Sequence, residues 1–457
     1  MTSGVDGIDI RDQVSEEEFV EAVDYLHGLN KYGWRLGLER FTALCERLGN
    51  PHKKLRVIHV GGTNGKGSTT AMLGSILVSA GYKVGTYFSP YVYDIRERIQ
   101  VNGCLIDKAS FVRLVDIVRQ ESAVIAETEH GHPTEFEVKT AVGFLYFAEL
   151  GVDFAVLEVG LGGRLDATNV VTPLVSVITN VTLDHMDRLG NTVREIAGEK
   201  AGIIKESGHL VTASSDPEAL NVLRRTCVER SSKMWCVAST ADALKITDMS
   251  DADDSWSPKV LPLQIADDSV NVYGIIDDYP GVRLGMRGNF QFLNAAAAIG
   301  AIEALRKNGI PVAKEAVYKG LETAYIPARL EVLRESPMLV IDGAHNLDGA
   351  KFVASELLAR FSYKRLLLVM GMVSGHSVEN VIGTLAPLAQ RFYATAPDNP
   401  RAASVDDVAE VARKYCPQVI TVPSVKAAVD AALLDADADD LVCVTGSFYT
   451  VGEVPRG

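Results

Sequence analysis

The stretch HVGGTNGKGSTT, His59 to Thr70, follows the apolar run Leu55–Val60 and leads into a segment with helical apolar spacing, Thr69–Ala80. Few folds accommodate a strand, a glycine-rich loop and a helix opening at about Ser68 in that order. The arrangement aims backbone N–H groups and the positive end of a helix at phosphate oxygens. Asn64, Gly65 and Gly67 would let the backbone approach the ligand, Lys66 would reach the terminal phosphates, and Ser68 or Thr69 would offer a hydroxyl to Mg²⁺. The spacing is not the common G-x-x-x-x-G-K-[ST]: counting back from Gly65-Lys66 puts Val60 at the first glycine, and Gly67 follows the lysine. A plain glycine-rich turn with an exposed lysine is the alternative, and the flanking strand and helix argue against it.

Elsewhere, apolar β-branched runs alternate with helical patterns. Asp153–Val159, Leu174–Thr179, Met338–Ile341, Leu366–Met370 and Leu441–Thr445 read as buried strands. Phe136–Leu150, Asn294–Asn308 and Gly349–Arg360 carry i, i+3, i+4 spacing and read as helices. Such alternation implies a mostly parallel sheet covered on both faces, hence an α/β fold. The segment Ala241–Pro280, with DMSDADDSW and SVNVYGI, breaks the pattern and reads as a small antiparallel excursion. The acidic DADADD near the C-terminus reads as a solvated turn.

A chain of 457 residues exceeds the ~250–300 at which one core stops growing. Tyr325–Arg329 (YIPAR) contains a proline and precedes a fresh strand–helix series. Two domains are expected: 1–325, a P-loop ATPase domain with a mostly parallel sheet and an N-terminal helical segment, and 326–457, a smaller Rossmann-like α/β domain. The charge sum, 45 − 59 = −14, argues against a nucleic-acid binder. Six scattered cysteines without a C-x-x-C pair read as reduced thiols. No stretch approaches the ~20 apolar residues of a membrane span, and the acidic N-terminus has no apolar core of a leader. A cytoplasmic monomer acting on small molecules is expected.

The variant G-T-N-G-K-G-S resembles the Mur ligase superfamily. The ordered blocks SPYVYDIRERIQVNG, FEVKTAVGFLYFAE, LEVGLGGRLDATN, LDHMDRLG, EKAGIIK, RGNFQFLNAAAA, PARLE and DGAHN narrow the resemblance to the dihydrofolate synthase/folylpolyglutamate synthase family. Residue chemistry makes Glu158, at a strand's C-terminal end, a candidate metal ligand; His185, at the same sheet edge, reads by itself as a loop histidine, and the resemblance makes it a ligand. The resemblance adds Ser89 to that Mg²⁺ site, beside the Ser68 hydroxyl of the loop. It also implies a carbamylated Lys200 helping to hold a second Mg²⁺, where pattern alone reads a surface lysine; carbamylation requires a neutral amine and so a lowered pKa. It further implies that Asp342 meets the ribose, that His345 and Arg329 meet the phosphates, and that Asn294 reads adenine. Asn294 otherwise reads as a helix cap.

ATP, magnesium and a phosphate clamp fit phosphoryl transfer to a carboxylate, followed by attack of an amine on the acyl phosphate. No G-x-S-x-G or Cys/His nucleophile signature is present. In the family Thr134, Phe136, Asp166 and Ala167 would line the pterin site. Tyr91 and Glu135 depart from the family pattern and bear on the acceptor. The expected reaction joins L-glutamate to dihydropteroate, tetrahydrofolate or both. A ligase of the superfamily acting on another carboxylate, and a nucleotide switch that ligates nothing, are the alternatives; Arg329, Asp342 and His345 argue against the switch.

Overall fold

The computed structural model describes residues 14–33, 35, 37–239, 259–266, 268–373 and 378–456. The first sheet contains β1 (Val57–Gly61), β2 (Val84–Tyr87), β3 (Ile99–Val101), β4 (Cys104–Leu105), β5 (Phe154–Glu158), β6 (Val175–Ile178), β7 (His209–Thr212), β8 (Lys233–Ser239), β9 (Lys259–Ala266), β10 (Ser269–Tyr273) and β11 (Asp278–Val282). Their order is β11-β10-β9-β8-β7-β6-β1-β5-β2-β3-β4. From β2 to β9 every neighbour runs parallel. β1 and β5–β7 are buried throughout, as strands covered on both faces must be.

Side-chain alternation splits β1 between two cores. Ile58 and Val60 join the helices Lys66–Ser79 and Phe290–Lys307 on one face. Val57 packs on the other with Glu135–Leu150 and the N-terminal helices Glu16–Gly28 and Glu39–Arg47.

A second sheet holds β12 (Glu331–Glu335), β13 (Met338–Ile341), β14 (Leu366–Met370), β15 (Arg391–Ala394), β16 (Val419–Thr421) and β17 (Leu441–Thr445), ordered β12-β13-β17-β14-β15-β16. Only the edge pair β12–β13 is antiparallel. All six cysteines are free thiols. Among the described residues no helix is long and apolar enough to cross a membrane.

Three expectations are revised. The loop helix starts at Lys66, two residues before Ser68, because Gly65 turns into it through left-handed backbone at φ 83°. The excursion after β8 begins with β9, which extends the parallel sheet, and turns antiparallel only at β9–β10–β11; DMSDADDSW lies outside the described residues. The DADADD segment is solvated at Asp437 and Asp439, whose side chains are 87% and 65% exposed, but tied at its two ends. Asp440 is buried and takes Arg365 Nη2 at 2.6 Å, and Asp435 pairs with Arg391 at 2.6 Å.

Candidate active site at the junction of the two sheets

The phosphate loop leaves β1 at Gly61 and is held from below by the strand beside it. Asn180 Oδ1 accepts the N–H groups of Thr63 and Asn64 at 3.2 and 2.8 Å, and Thr179 Oγ1 donates to Asn64 O at 2.6 Å. Gly65 is required twice over, by its positive φ and because a Cβ there would stand 2.2 Å from Asn294 Oδ1. Asn294 is therefore not a helix cap: it lies inside the helix Phe290–Lys307, is buried against the loop, and donates to Gln291 Oε1 at 2.9 Å. Gln291 in turn donates to the buried Ser68 hydroxyl at 3.2 Å. Lys66 Nζ curls back onto Thr63 O at 2.9 Å. Thr69 Oγ1 is buried with no hydrogen-bond partner among the described residues.

Glu158 ends β5 beside this loop. Its Oε2 accepts Ser89 N at 2.9 Å and lies 3.3 Å from the position a Cβ on Gly67 would take. Burial pushes its carboxyl up to about 7, against the charges of Lys66, Arg329 and Arg98 and the Ser89 N–H, which act the other way. Lys200 is the opposite case. It is buried at 3% exposure, donates to Gly62 O at 2.9 Å, and is pushed down to about 7 by burial and by Lys66, with Asp184 opposing. The pattern-based surface reading of Lys200 is overturned, because the helix Val193–Ala201 turns this residue under the loop.

These groups fit a divalent cation in chemistry. A buried carboxylate that burial alone drives toward its neutral form gains from a cation, and the Ser68 and Ser89 hydroxyls add oxygen donors suited to Mg²⁺. Among the described residues no group of three or more His, Cys, Asp and Glu gathers as a metal cluster. His185 sits in left-handed backbone at φ 49°, opens the short helix Met186–Leu189, and bonds its own N–H to Asp184 Oδ1 at 2.9 Å.

The second sheet closes the site. The DGAHN turn follows β13. Asp342, buried, accepts Leu330 N at 3.0 Å and Ala344 N at 2.8 Å, which ties the residue after Arg329 to the turn itself. His345 Nδ1 lies 2.9 Å from Gly343 O. Asn346, which sequence reasoning passed over inside its own motif, bridges the two bodies: its Nδ2 donates to Asn64 Oδ1 at 3.1 Å and Asp184 Oδ2 at 2.9 Å. Arg329 lies over the Phe448 ring, 4.7 Å from its centroid, and lines a cleft with Gly67, Ser89, Glu158 and Ile326. Asn180, Gln291 and Asp184 were also missed. Asp184 stood in the quoted LDHMDRLG block and Gln291 in RGNFQFLNAAAA, whereas Asn180 carries no local signal.

The acceptor candidates lie on the other side of β5. Phe136 packs over Gly160, where a Cβ would stand 2.5 Å from its ring, and Asp166 Oδ2 is 3.1 Å from the same point. Ala167 follows Asp166 into the 3₁₀ turn Ala167–Val170. Thr134 caps the helix that carries Phe136. Its N–H and hydroxyl both donate to Glu137 Oε2, at 2.7 and 2.9 Å, and Glu137 pairs with Arg40. Tyr91 and Glu135 are parts of one feature. Glu135 pairs with the buried Lys139, which burial and Arg98 push down to about 8. Tyr91 lies between Lys139 and Arg98, its centroid 5.7 and 5.5 Å from them.

A phosphate loop on a parallel sheet, faced across a cleft by an arginine and an Asp–His turn from a second α/β body, defines a two-domain ATP-dependent ligase. Sequence comparison agrees: the Mur ligase middle domain matches residues 60–302 and the Mur ligase glutamate ligase domain matches 328–448. The dihydrofolate synthase/folylpolyglutamate synthase of Bacillus subtilis is 38% identical over 96% of this chain and 98% of its own. Folylpolyglutamate synthase of Mycobacterium tuberculosis complexed with ADP superposes with a TM-score of 0.84 at 30% identity, covering 95% of this chain and 97% of that one. A bifunctional folylpolyglutamate synthase/dihydrofolate synthase with Mn, AMPPNP and L-glutamate bound gives a TM-score of 0.80 at 28% identity, over 95% and 96%. The chain belongs to the dihydrofolate synthase/folylpolyglutamate synthase family, ATP-dependent ligases of the Mur superfamily.

Proposed function

We propose that this cleft joins L-glutamate to the carboxylate of a pteroate or folate acceptor at the expense of ATP. The observation that carries the reading is the buried Glu158, set beside the phosphate loop and across the cleft from Arg329. The ligands of the relatives, ADP in one and Mn, AMPPNP and L-glutamate in another, support it.

Asn64, Gly65, Lys66, Gly67, Ser68 and Thr69 cradle the phosphates, Asn294 and Asp342 hold the nucleoside, and Arg329 and His345 meet the terminal phosphate from the second body. Phe136, Asp166 and Ala167 hold the acceptor, with Thr134 fixing the start of the helix that carries Phe136. The acceptor carboxylate attacks the γ-phosphorus and ADP leaves. The glutamate amine then attacks the acyl carbon, loses a proton, and expels phosphate. Lys66 and Arg329 meet the charge that moves onto phosphate oxygens, so positioning and electrostatics carry the rate and no protein nucleophile is used. Ser68, Ser89, Glu158 and His185 would hold Mg²⁺, which neutralises phosphate charge when bound. A carbamate on Lys200, favoured by its lowered pKa, would supply a further anion.

The test is mass detection of product from the pure protein with ATP, Mg²⁺, glutamate and either dihydropteroate or tetrahydrofolate. One added glutamyl unit on either acceptor is expected, and none on both overturns the reading. Glu158→Gln keeps the shape and removes the charge. It is expected to lower turnover by about a hundredfold or more and to move the Mg²⁺ titration to higher concentration. An unchanged titration would make Glu158 structural.

A further inference from the structure

His59 heads the loop motif, yet nothing in the nucleotide chemistry uses it. It is a polar residue in a strand whose five positions are all buried, and its own exposure is 0%. Alternation along β1 turns it, like Val57, away from the face packed by the loop helix and toward the 3₁₀ turn that carries Thr168. An aliphatic residue would avoid the cost of burying an imidazole here. Burial pushes its pKa down to about 3, with Lys205 adding to the shift, so the ring is neutral under working conditions.

What it meets is a chain of hydrogen bonds. His59 Nε2 is 2.8 Å from Thr168 Oγ1, and Thr168 Oγ1 donates to Asp166 Oδ1 at 2.5 Å. A hydroxyl has one proton, and this one goes to the carboxylate. His59 must therefore donate from Nε2, which leaves Nδ1 as an acceptor with no hydrogen-bond partner among the described residues. The carboxylate is pinned further by Thr168 N on Oδ1 at 3.0 Å and Leu161 N on Oδ2 at 2.9 Å. Asp166 and the Phe136 ring adjoin at Gly160.

We infer that His59 is a positioning residue for acceptor binding: by donating to Thr168 it commits that hydroxyl to Asp166 and holds the carboxylate ready for the N–H donors of a flat heterocycle beside Phe136. This rests on the assignment of Phe136 and Asp166 to the acceptor.

Steady-state kinetics separate the possibilities, with dihydropteroate varied at saturating ATP and glutamate and then ATP varied. Thr168→Val keeps the shape and removes the hydroxyl. Its KM for dihydropteroate is expected to rise about tenfold, with kcat and the KM for ATP within about twofold of the parent. Thr168→Ser restores the acceptor KM. His59→Gln, which keeps a donor near Nε2, stays near the parent. His59→Met matches Thr168→Val, and the pair together does no worse than either alone, because both break one chain. A folded His59→Met protein with the parent acceptor KM overturns the inference; should His59→Met fail to fold, His59→Leu takes its place in the same assay, since Thr168→Val tests only the Thr168–Asp166 bond. A folded Thr168→Val protein with the parent acceptor KM, or one whose kcat and ATP KM change equally, overturns the inference. Asp166→Asn is the separate arm. If it leaves the acceptor KM unchanged, the acceptor assignment itself falls; if it raises that KM while Thr168→Val does not, only the role of His59 falls.

Discussion

Lys66→Ala is expected to lower ligation by about a thousandfold, the scale of losing one preorganised charge partner from a developing anion, while the protein unfolds at the parent temperature. The second half follows from the contacts. Without nucleotide, Lys66 is half-exposed and its Nζ donates to Thr63 O, a bond whose loss costs on the order of 1 kcal/mol. Removing that charge also relieves Lys200, whose protonated form it disfavours. Turnover and thermal unfolding measured on one preparation check both halves. Near-parent turnover in a folded variant would remove the phosphate-loop assignment.

Replacing Lys200 is expected to inactivate the enzyme and to stabilise the unmodified protein. The two effects have one origin. Above about pH 10.5, the ordinary lysine value, both folded and unfolded chains hold a neutral amine and the residue has no linkage effect. As pH falls from there toward 7, the unfolded chain takes up a proton that the folded chain resists, so the folded state loses relative stability. Below about 7 both are protonated and the loss is constant. Lys200→Met removes the titration, and in buffer depleted of carbon dioxide its unfolding free energy at pH 7 should exceed the parent's by a few kcal/mol, on the order of 1.4 kcal/mol per pKa unit. The gain should shrink as pH rises toward 10.5. Activity should be lost in both Lys200→Met and Lys200→Ala. Acetate or formate should partly restore Lys200→Ala, by filling the vacated space with the anion that a carbamate would supply. Parent rates in Lys200→Ala at saturating ATP, magnesium and glutamate would show that no carbamate acts here.

Apolar periodicity located β1, β5, β6, β13, β14 and β17 and the helices around the site to within a few residues, because burial on both faces leaves an unbroken apolar run; β2, β7, β8, β15 and β16 were not read from it. Met338–Ile341, Leu366–Met370 and Leu441–Thr445 stand where the pattern placed them. The loop chemistry was equally legible, since its glycines, lysine and hydroxyls are consecutive in the chain. Family resemblance supplied the roles proposed for Arg329, Asp342 and His345, which periodicity alone would not have suggested.

What remained for the tertiary structure was every property set by residues far apart in the chain. Local pattern reads Lys200 as a surface cation; burial under the loop, where it donates to Gly62 O from 138 residues away, and the charge of Lys66 lower its pKa to about 7. Asn294 reads as a cap until Gly65 is folded against it. Asp440 reads as a solvated acid until Arg365 arrives from 75 residues earlier in sequence. Tyr91 and Glu135 read as two separate departures until Lys139 joins them. The sequence by itself determined the central strands and the glycine-rich loop, which depend on neighbouring residues, and its ordered motifs gave the reaction class. Only the folded chain decided which ionisable groups are desolvated and which partners they meet, because a group's charge state is set by the dielectric and the charges around it, and these are assembled from distant segments.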